Sequence, residues 1–258
     1  WLNFGYFPIR GQVQWSVTTA IAGALVGLTL RRSLLALSAL VVFAVGIFVW
    51  GTSNNVGDDL DAAARATGNH VLAFAGDIPA GDDGFDALLH AAFAFAEDNS
   101  HGSDAVFPNR AAILALSVIL GEERVAEIAR RPIDLGRIEE VRGLRNRITL
   151  RGRNDLARHF WVSAGLVIVA DEGRAMTIGI GKELMDSTPG GSGFSFVDMM
   201  ANRAGIMFAG AATDSATAAR GMQVRISRGM VSDDLLPDIE GLPEGIPDER
   251  FRSEFGGL

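Results

Sequence analysis

The chain has 258 residues and a formal net charge of -8. This acidic balance argues against a nucleic-acid partner, because neutralising phosphates requires a basic surface. The absence of cysteine excludes disulfides, thiolate catalysis and cysteine-ligated metals.

Two uncharged apolar runs dominate the N-terminal part of the chain. They cover residues 13–30 and 33–50, and each is long enough to cross a bilayer core of about 30 Å at about 1.5 Å per residue. We therefore predict a two-helix transmembrane hairpin in residues 1–51. The alternative is a buried helical hairpin inside a soluble fold, in which uncharged runs of this length are uncommon.

The sequence also suggests an orientation and a packing face for this hairpin. Arg31 and Arg32 lie at its tip, and arginines beside membrane spans prefer the cytoplasmic side. The rest of the chain is then expected in the periplasm, or otherwise outside the cytoplasm. Gly23 and Gly27 have the small-xxx-small spacing that lets membrane helices pack closely, although glycine and alanine are also common in spans without such a role.

Residues 52–230 are predicted to form a helical domain outside the membrane, so the fold class is all-α. The basic stretch 130–153 is predicted to be mostly a connector, with one short strand at 147–150. Residues 231–258 contain repeated proline and glycine, which disfavour regular helix, and we expect an extended tail. The predicted helices of the domain cover residues 58–67, 85–97, two segments after Pro108 that meet at Gly121, 154–170, 172–186 and 195–220.

Polar residues concentrate on the last three of these helices. Residues three or four apart share one face of a helix, so three helices could bring their carboxylates and one imidazole to a single site. The predicted polar cluster comprises Asp155, His159, Lys182, Glu183, Asp186, Asp198 and Asn202.

This cluster has two interpretations. Its His159, Glu183 and Asp198 are the candidates for catalytic groups or for ligands of a divalent metal. In the alternative interpretation the same residues stabilise helices: Asp155 as an N-terminal cap, Lys182 with Asp186 as an ion pair, and Ser195 with Asp198 as a capping pair.

The order of polar residues resembles the pattern of VanZ-like proteins and of related uncharacterised bacterial envelope proteins. The resemblance covers residues 155–205 only. It implies a helical envelope protein whose polar residues meet between helices, with no assigned reaction. The residues that carry it are Asp155, His159, Phe160, Lys182, Glu183, Asp186, Asp198, Ala201, Asn202 and Gly205.

Three functional hypotheses follow from the sequence. The first is a non-catalytic accessory or assembly subunit of a larger membrane complex, with the membrane and other membrane-protein subunits as partners and no required cofactor. The second is an envelope enzyme, a metal-assisted hydrolase or transferase centred on His159, Glu183 and Asp198. The third is an envelope ligand-binding module that uses the same cluster without turnover.

Overall fold

A computed structural model describes residues 59–100, 104–121, 137–169 and 193–255. Residues Leu60–Leu258 belong to one compact unit. None of the helices in the described ranges combines the length and apolar character that crossing a membrane requires. The predicted hairpin 1–51, with Gly23 and Gly27, lies outside these ranges, as does the predicted helix 172–186.

The described part of the chain is built from helices and a few isolated β-bridges, which confirms the all-α prediction for this part. The helices are α1 (residues 59–73), α2 (Asp82–Asp98), α3 (Val106–Leu120), α4 (Ile138–Arg147), α5 (Asn154–Val169), α6 (Phe196–Thr213), α7 (Ala216–Ser227), α8 (Ser232–Leu235) and α9 (Asp248–Phe255).

The central helix is α3, which packs against α2, α4, α5, α6 and α7. Every residue from 111 to 121 is buried, and the sequence AAILALSVIL explains why, since it is apolar on all sides. Its one hydroxyl, on Ser117, donates to the carbonyl oxygens of Ile113 at 2.7 Å and Trp161 at 2.8 Å. The hydrogen bond to Trp161 O joins α3 to α5, and the buried hydroxyl of Ser117 is not left unpaired.

Helices α5 and α6 pack closely, because Gly205 of α6 lies directly against the backbone of Phe160 in α5. Around this contact the rings of Phe85, Phe160, Trp161 and Phe208 form the aromatic part of the core, with centroids 5.1–5.9 Å apart. The close contact fixes how the polar N-terminal turns of the two helices face each other.

Two of the predicted regions differ from the observed structure in the kind of element that they form. The helical region predicted for residues 195–220 is two helices, because Ser215 leaves the helical conformation and its Oγ accepts a hydrogen bond from Ala218 N at 3.2 Å, capping α7. The predicted connector 130–153 contains helix α4. Its predicted strand is reduced to single bridges, Gly81 with Ile148 and Leu150 with Arg153.

The prediction of a wholly extended tail is wrong. Residues 231–255 contain the short helices α8 and α9, and they pack on the domain through Leu236, Ile246 and Phe251, which are at most 4% exposed. The prolines are compatible with this structure because Pro247 immediately precedes α9, where a missing N–H breaks no helical hydrogen bond.

Candidate functional site

The polar cluster is organised by the N-terminal turns of α5 and α6. The chain enters α5 through a tight turn in which Arg151 and Gly152 have φ values of 54° and 70°, and Leu150 pairs with Arg153 across it. The entry to α6 is fixed by Ser195, whose Oγ accepts a hydrogen bond from Asp198 N at 3.1 Å. This confirms the predicted N-terminal cap and places Asp198 beside α5.

His159 is held between two side chains of α6. Its Nδ1 lies 3.1 Å from Asn202 Oδ1, and its Nε2 lies 3.4 Å from Asp198 Oδ2. An amide oxygen only accepts hydrogen bonds, so this contact is a hydrogen bond in the tautomer that carries its hydrogen on Nδ1. The imidazole is 12% exposed, so its ring plane and both its nitrogens are fixed by these partners.

Asn202 is buried, with 3% of its surface exposed. Its Oδ1 accepts a second hydrogen bond from Ser163 Oγ at 2.9 Å. Its Nδ2 has no hydrogen-bond partner among the described residues. Leaving a buried donor unpaired costs about 1–3 kcal/mol, so the unpaired Nδ2 of Asn202 destabilises the fold by about this amount.

Arg153 joins the cluster to the tail. Its Nη1 donates to both carboxylate oxygens of Glu244 at 2.7 and 2.8 Å, and its Nε and Nη2 donate to Asp155 at 3.2 and 2.6 Å. Asp198 Oδ1 lies 3.9 Å from Nη2. One guanidinium therefore makes charge-assisted hydrogen bonds to two carboxylates, one in α5 and one in the tail, and it lies within ion-pair distance of a third in α6.

Arg153 and its carboxylate partners stabilise one another's charged forms. The hydrogen bonds with Asp155, and then those with Glu244, raise the pKa of Arg153 above its ordinary value. Burial alone would raise the pKa of Asp155, but the hydrogen bond and charge of Arg153 outweigh it and hold that pKa below its usual value. Both groups are charged at neutral pH and form a stable ion pair.

The structure brings together four of the predicted residues, namely Asp155, His159, Asp198 and Asn202. The other three, Lys182, Glu183 and Asp186, lie outside the described residues. Within the described ranges no group of three His, Asp or Glu side chains is arranged to hold a metal ion. Of the candidate metal ligands, the structure therefore places only the pair His159 and Asp198.

Sequence reasoning missed three residues of this site: Arg153, Ser163 and Glu244. Arg153 was part of the predicted connector, although its position next to Asn154 and Asp155 at a helix start was a usable signal. Ser163 lies one helical turn after His159 on the same face of α5. No sequence pattern indicates Glu244 as part of this site, because it contacts Arg153 from the tail, 91 positions further along the chain.

A second buried polar network lies at the junction of α3 with α6 and α7. Asn109 is fully buried, and its Oδ1 accepts a hydrogen bond from Gln223 Nε2 at 2.8 Å. Gln223 also donates to Ser100 Oγ at 2.9 Å and accepts from Arg220 at 3.1 Å. These amides pair with one another, as expected of a network that fixes helix positions.

Comparison with known proteins identifies no relative: no family model matches the chain, and neither a curated protein nor a solved structure does so.

Proposed function

We propose that the chain is a non-catalytic accessory or assembly subunit of a larger membrane complex. The observation that carries this proposal is the engagement of Arg153 with Asp155, Asp198 and Glu244. Asp155 and Asp198, which belong to the polar cluster predicted from the sequence, and Glu244 of the tail all pair with this one arginine, so that two helices and the tail are joined. Ion pairs that hold two helices and the tail in fixed positions suit a domain that presents a fixed surface to a partner.

The membrane part of the proposal rests on the sequence. The two apolar runs in residues 1–51 are proposed to pack against spans of the partner subunits through Gly23 and Gly27, where small residues allow close approach. Arg31 and Arg32 then place the helical domain on the periplasmic, or otherwise extracytoplasmic, side. The partners are membrane proteins and the membrane itself, with no nucleic acid and no required cofactor.

The test is to extract the protein from its native membrane in a mild detergent and to determine its size and companions by chromatography and mass spectrometry. Stoichiometric partners are expected. Gly23→Leu and Gly27→Leu should lose them, whereas Ala24→Leu, about 100° around the predicted helix from Gly23, should keep them. A protein that elutes alone or only with copies of itself would contradict the proposal.

The pair of His159 with Asp198 supports a second candidate, the metal-assisted envelope hydrolase or transferase. An imidazole and a carboxylate 3.4 Å apart are two groups that a divalent metal or an acid–base reaction uses, and Glu183 is the proposed third group. Metal analysis of the purified protein tests this candidate. A stoichiometric metal that is lost on His159→Ala, but retained in His70→Ala, would favour it over the accessory subunit.

The unpartnered amide of Asn202 supports the third candidate, a ligand-binding module. Its Nδ2 would donate to an acceptor atom of a bound small molecule. A small molecule that raises the thermal stability of the protein without being converted would favour binding over catalysis. Loss of this stabilisation in Asn202→Leu, and its retention in Asn99→Leu on the exposed surface, would locate the molecule at this cluster.

A further inference from the structure

The carboxylate of Asp198 lies between two groups that can each pair with it. Its Oδ2 is 3.4 Å from Nε2 of His159, and its Oδ1 is 3.9 Å from Nη2 of Arg153. Neither distance is that of a close hydrogen bond. A shift of the guanidinium by about 1 Å would bring it into close hydrogen-bond distance of Asp198.

The guanidinium of Arg153 is kept at this distance by its other two partners. A guanidinium has five N–H donors in one plane. In Arg153 the donors on Nε and Nη2 bind Asp155, and those on Nη1 bind both carboxylate oxygens of Glu244. Two carboxylates at different edges of the plane therefore fix both its orientation and its position.

The position of Glu244 is set by the attachment of the tail to the start of α6. Phe194 and Ile246 exchange backbone hydrogen bonds of 2.8 and 3.0 Å, and Phe196 N donates to Pro243 O at 3.0 Å. The side chain of Ile246 is buried in this attachment. Glu244 lies between these paired residues, so its place does not depend on its ion pair alone.

Asp198 and Glu244 compete for the same guanidinium. Removing the charge of Glu244 would deprive the Nη1 hydrogens of Arg153 of their charged acceptor, which is unfavourable for a charged donor. Asp198 is a further carboxylate within 4 Å, and its side chain is 16% exposed against 42% for Glu244. Water therefore screens its attraction for a cation less, and the guanidinium should close on Asp198.

We propose that Glu244 is a positioning residue for the pair of His159 and Asp198, and that it acts through Arg153. While the tail is attached, Glu244 holds the guanidinium away from Asp198, which stays beside His159. Without Glu244, Arg153 binds Asp198 and draws it away from His159. The tail thereby controls which partner Asp198 has. This coupling does not depend on whether the cluster binds a metal, a small molecule or neither.

Nuclear magnetic resonance of the full-length protein in detergent, labelled with 15N-histidine, tests this coupling. The chain has four histidines, and the ring-nitrogen signals of His159 are identified by their loss in His159→Gln. We expect Glu244→Gln to shift these signals, because the carboxylate beside Nε2 moves away. The signals of His70, whose ring stacks on Phe95, should stay where they are.

The matched control is Glu240→Gln, which removes the same charge from the tail at an exposed position and should leave the His159 signals unchanged. A double-mutant cycle shows whether Glu244 acts through Arg153. In an Arg153→Gln background, Glu244→Gln should shift the His159 signals no further.

Three results would overturn the proposal. The first is an unchanged set of His159 signals in Glu244→Gln, and the second is an equal shift when Glu244→Gln is added to Arg153→Gln. The third is an equal disturbance of the His70 signals, since the substitution would then act on the domain as a whole.

Stability gives an independent test. The coupling energy between Arg153 and Asp198 is obtained by chemical denaturation of Arg153→Gln, Asp198→Asn and the double variant. It should be small in the parent protein, where the two groups are 3.9 Å apart, and larger in a Glu244→Gln background, where they are expected to bind. A coupling energy that is equal or smaller in that background contradicts the competition between Glu244 and Asp198.

Discussion

Asn109 in α3 donates a hydrogen bond from Nδ2 to the carbonyl oxygen of Ala212 at 2.9 Å, close to the end of α6. The same nitrogen donates to the carbonyl oxygen of Ala219 in α7 at 3.0 Å. A single buried amide therefore satisfies the backbone on both sides of the break between α6 and α7. The corner between these helices depends on a residue more than 100 positions away.

Asn109→Ala should destabilise the domain, because it leaves the carbonyls of Ala212 and Ala219 and the amide of Gln223 without this partner. We expect a loss of about 2–4 kcal/mol in the free energy of unfolding, measured by chemical denaturation. The control is Asn99→Ala, whose side chain bonds to Phe95 O on the exposed surface. It should change stability by no more than about 0.5 kcal/mol, and equal losses in the two variants would refute this role of Asn109.

Gly205→Ala should separate α5 from α6. The added methyl group would overlap the carbonyl oxygen of Phe160 and lie 2.9 Å from its carbonyl carbon, and backbone atoms cannot rotate away. A loss of about 2 kcal/mol or more is expected from this overpacking. The thermal unfolding midpoint would fall accordingly.

Gly221→Ala is the matched control, since Gly221 is an exposed glycine within α7 and an added methyl group meets no atom within 4 Å. Replacing a helical glycine by alanine there should stabilise the domain by about 0.5–1 kcal/mol. Opposite signs for the two substitutions are the expected result. A neutral Gly205→Ala would contradict the close approach of α6 to the backbone of Phe160, and a destabilising Gly221→Ala would contradict the open space around Gly221.

The sequence predicts those parts of the fold that depend on local pattern. The start of α5 at Asn154 and the cap at Ser195 follow from residue types at helix ends, and the shared faces of Asp155 with His159 and of Asp198 with Asn202 follow from helical spacing. Which face of α5 meets which face of α6 does not follow from these patterns. That choice depends on the close approach at Gly205, which is a tertiary contact.

The basic stretch 130–153 makes long-range contacts that local sequence patterns do not predict. Arg145, Arg147 and Arg151 were assigned to a connector, yet each donates to backbone carbonyls of another segment: Arg145 to Ile119, Arg147 to Ala75 and Arg151 to Leu236. Positive charge is favourable at the C-terminal ends of helices. Such long-range bonds from a side chain to the backbone have no sequence period that would reveal them.

Asp155 should give the domain stability that is lost in acid. Its pKa is lower in the folded state than in the unfolded chain, so its contribution is fully present above the unfolded pKa and disappears as the pH falls through the folded pKa. Asp155→Asn should therefore have a shallower loss of unfolding free energy between about pH 6 and pH 3 than the parent protein. Parallel pH profiles would show that the pair with Arg153 contributes no stability.

Asp86 should have the opposite effect on how the free energy of unfolding depends on pH. Burial raises its pKa, although its carboxylate accepts a hydrogen bond from Ser232 N at 2.6 Å, which lowers it. A raised folded pKa gives a contribution that is present below the unfolded pKa and is lost as the pH rises through the folded pKa. In Asp86→Asn this gain on acidification is absent, so the loss of stability towards acid should be steeper than in the parent. A shallower profile would contradict the raised pKa.

Arg145→Gln should weaken the C-terminal end of the central helix. The last carbonyls of a helix have no partner within it, and Arg145 donates to two of those of α3, Val118 O at 2.7 Å and Ile119 O at 3.0 Å. Hydrogen bonds from a charged donor to such groups are worth about 1.5–3 kcal/mol, and a loss of about 2 kcal/mol in unfolding free energy is expected for the pair.

The control for Arg145 is Arg142→Gln on the same helix. Arg142 pairs with Glu139 three residues earlier, and both side chains are more than 60% exposed, so its removal should cost about 0.5 kcal/mol or less. Hydrogen exchange distinguishes loss of the α3 cap from loss of a surface ion pair. Arg145→Gln should also speed exchange of the amides in the last turn of α3, whereas Arg142→Gln should not. If exchange in that turn is unchanged in Arg145→Gln, the arginine stabilises the domain by another route than capping α3.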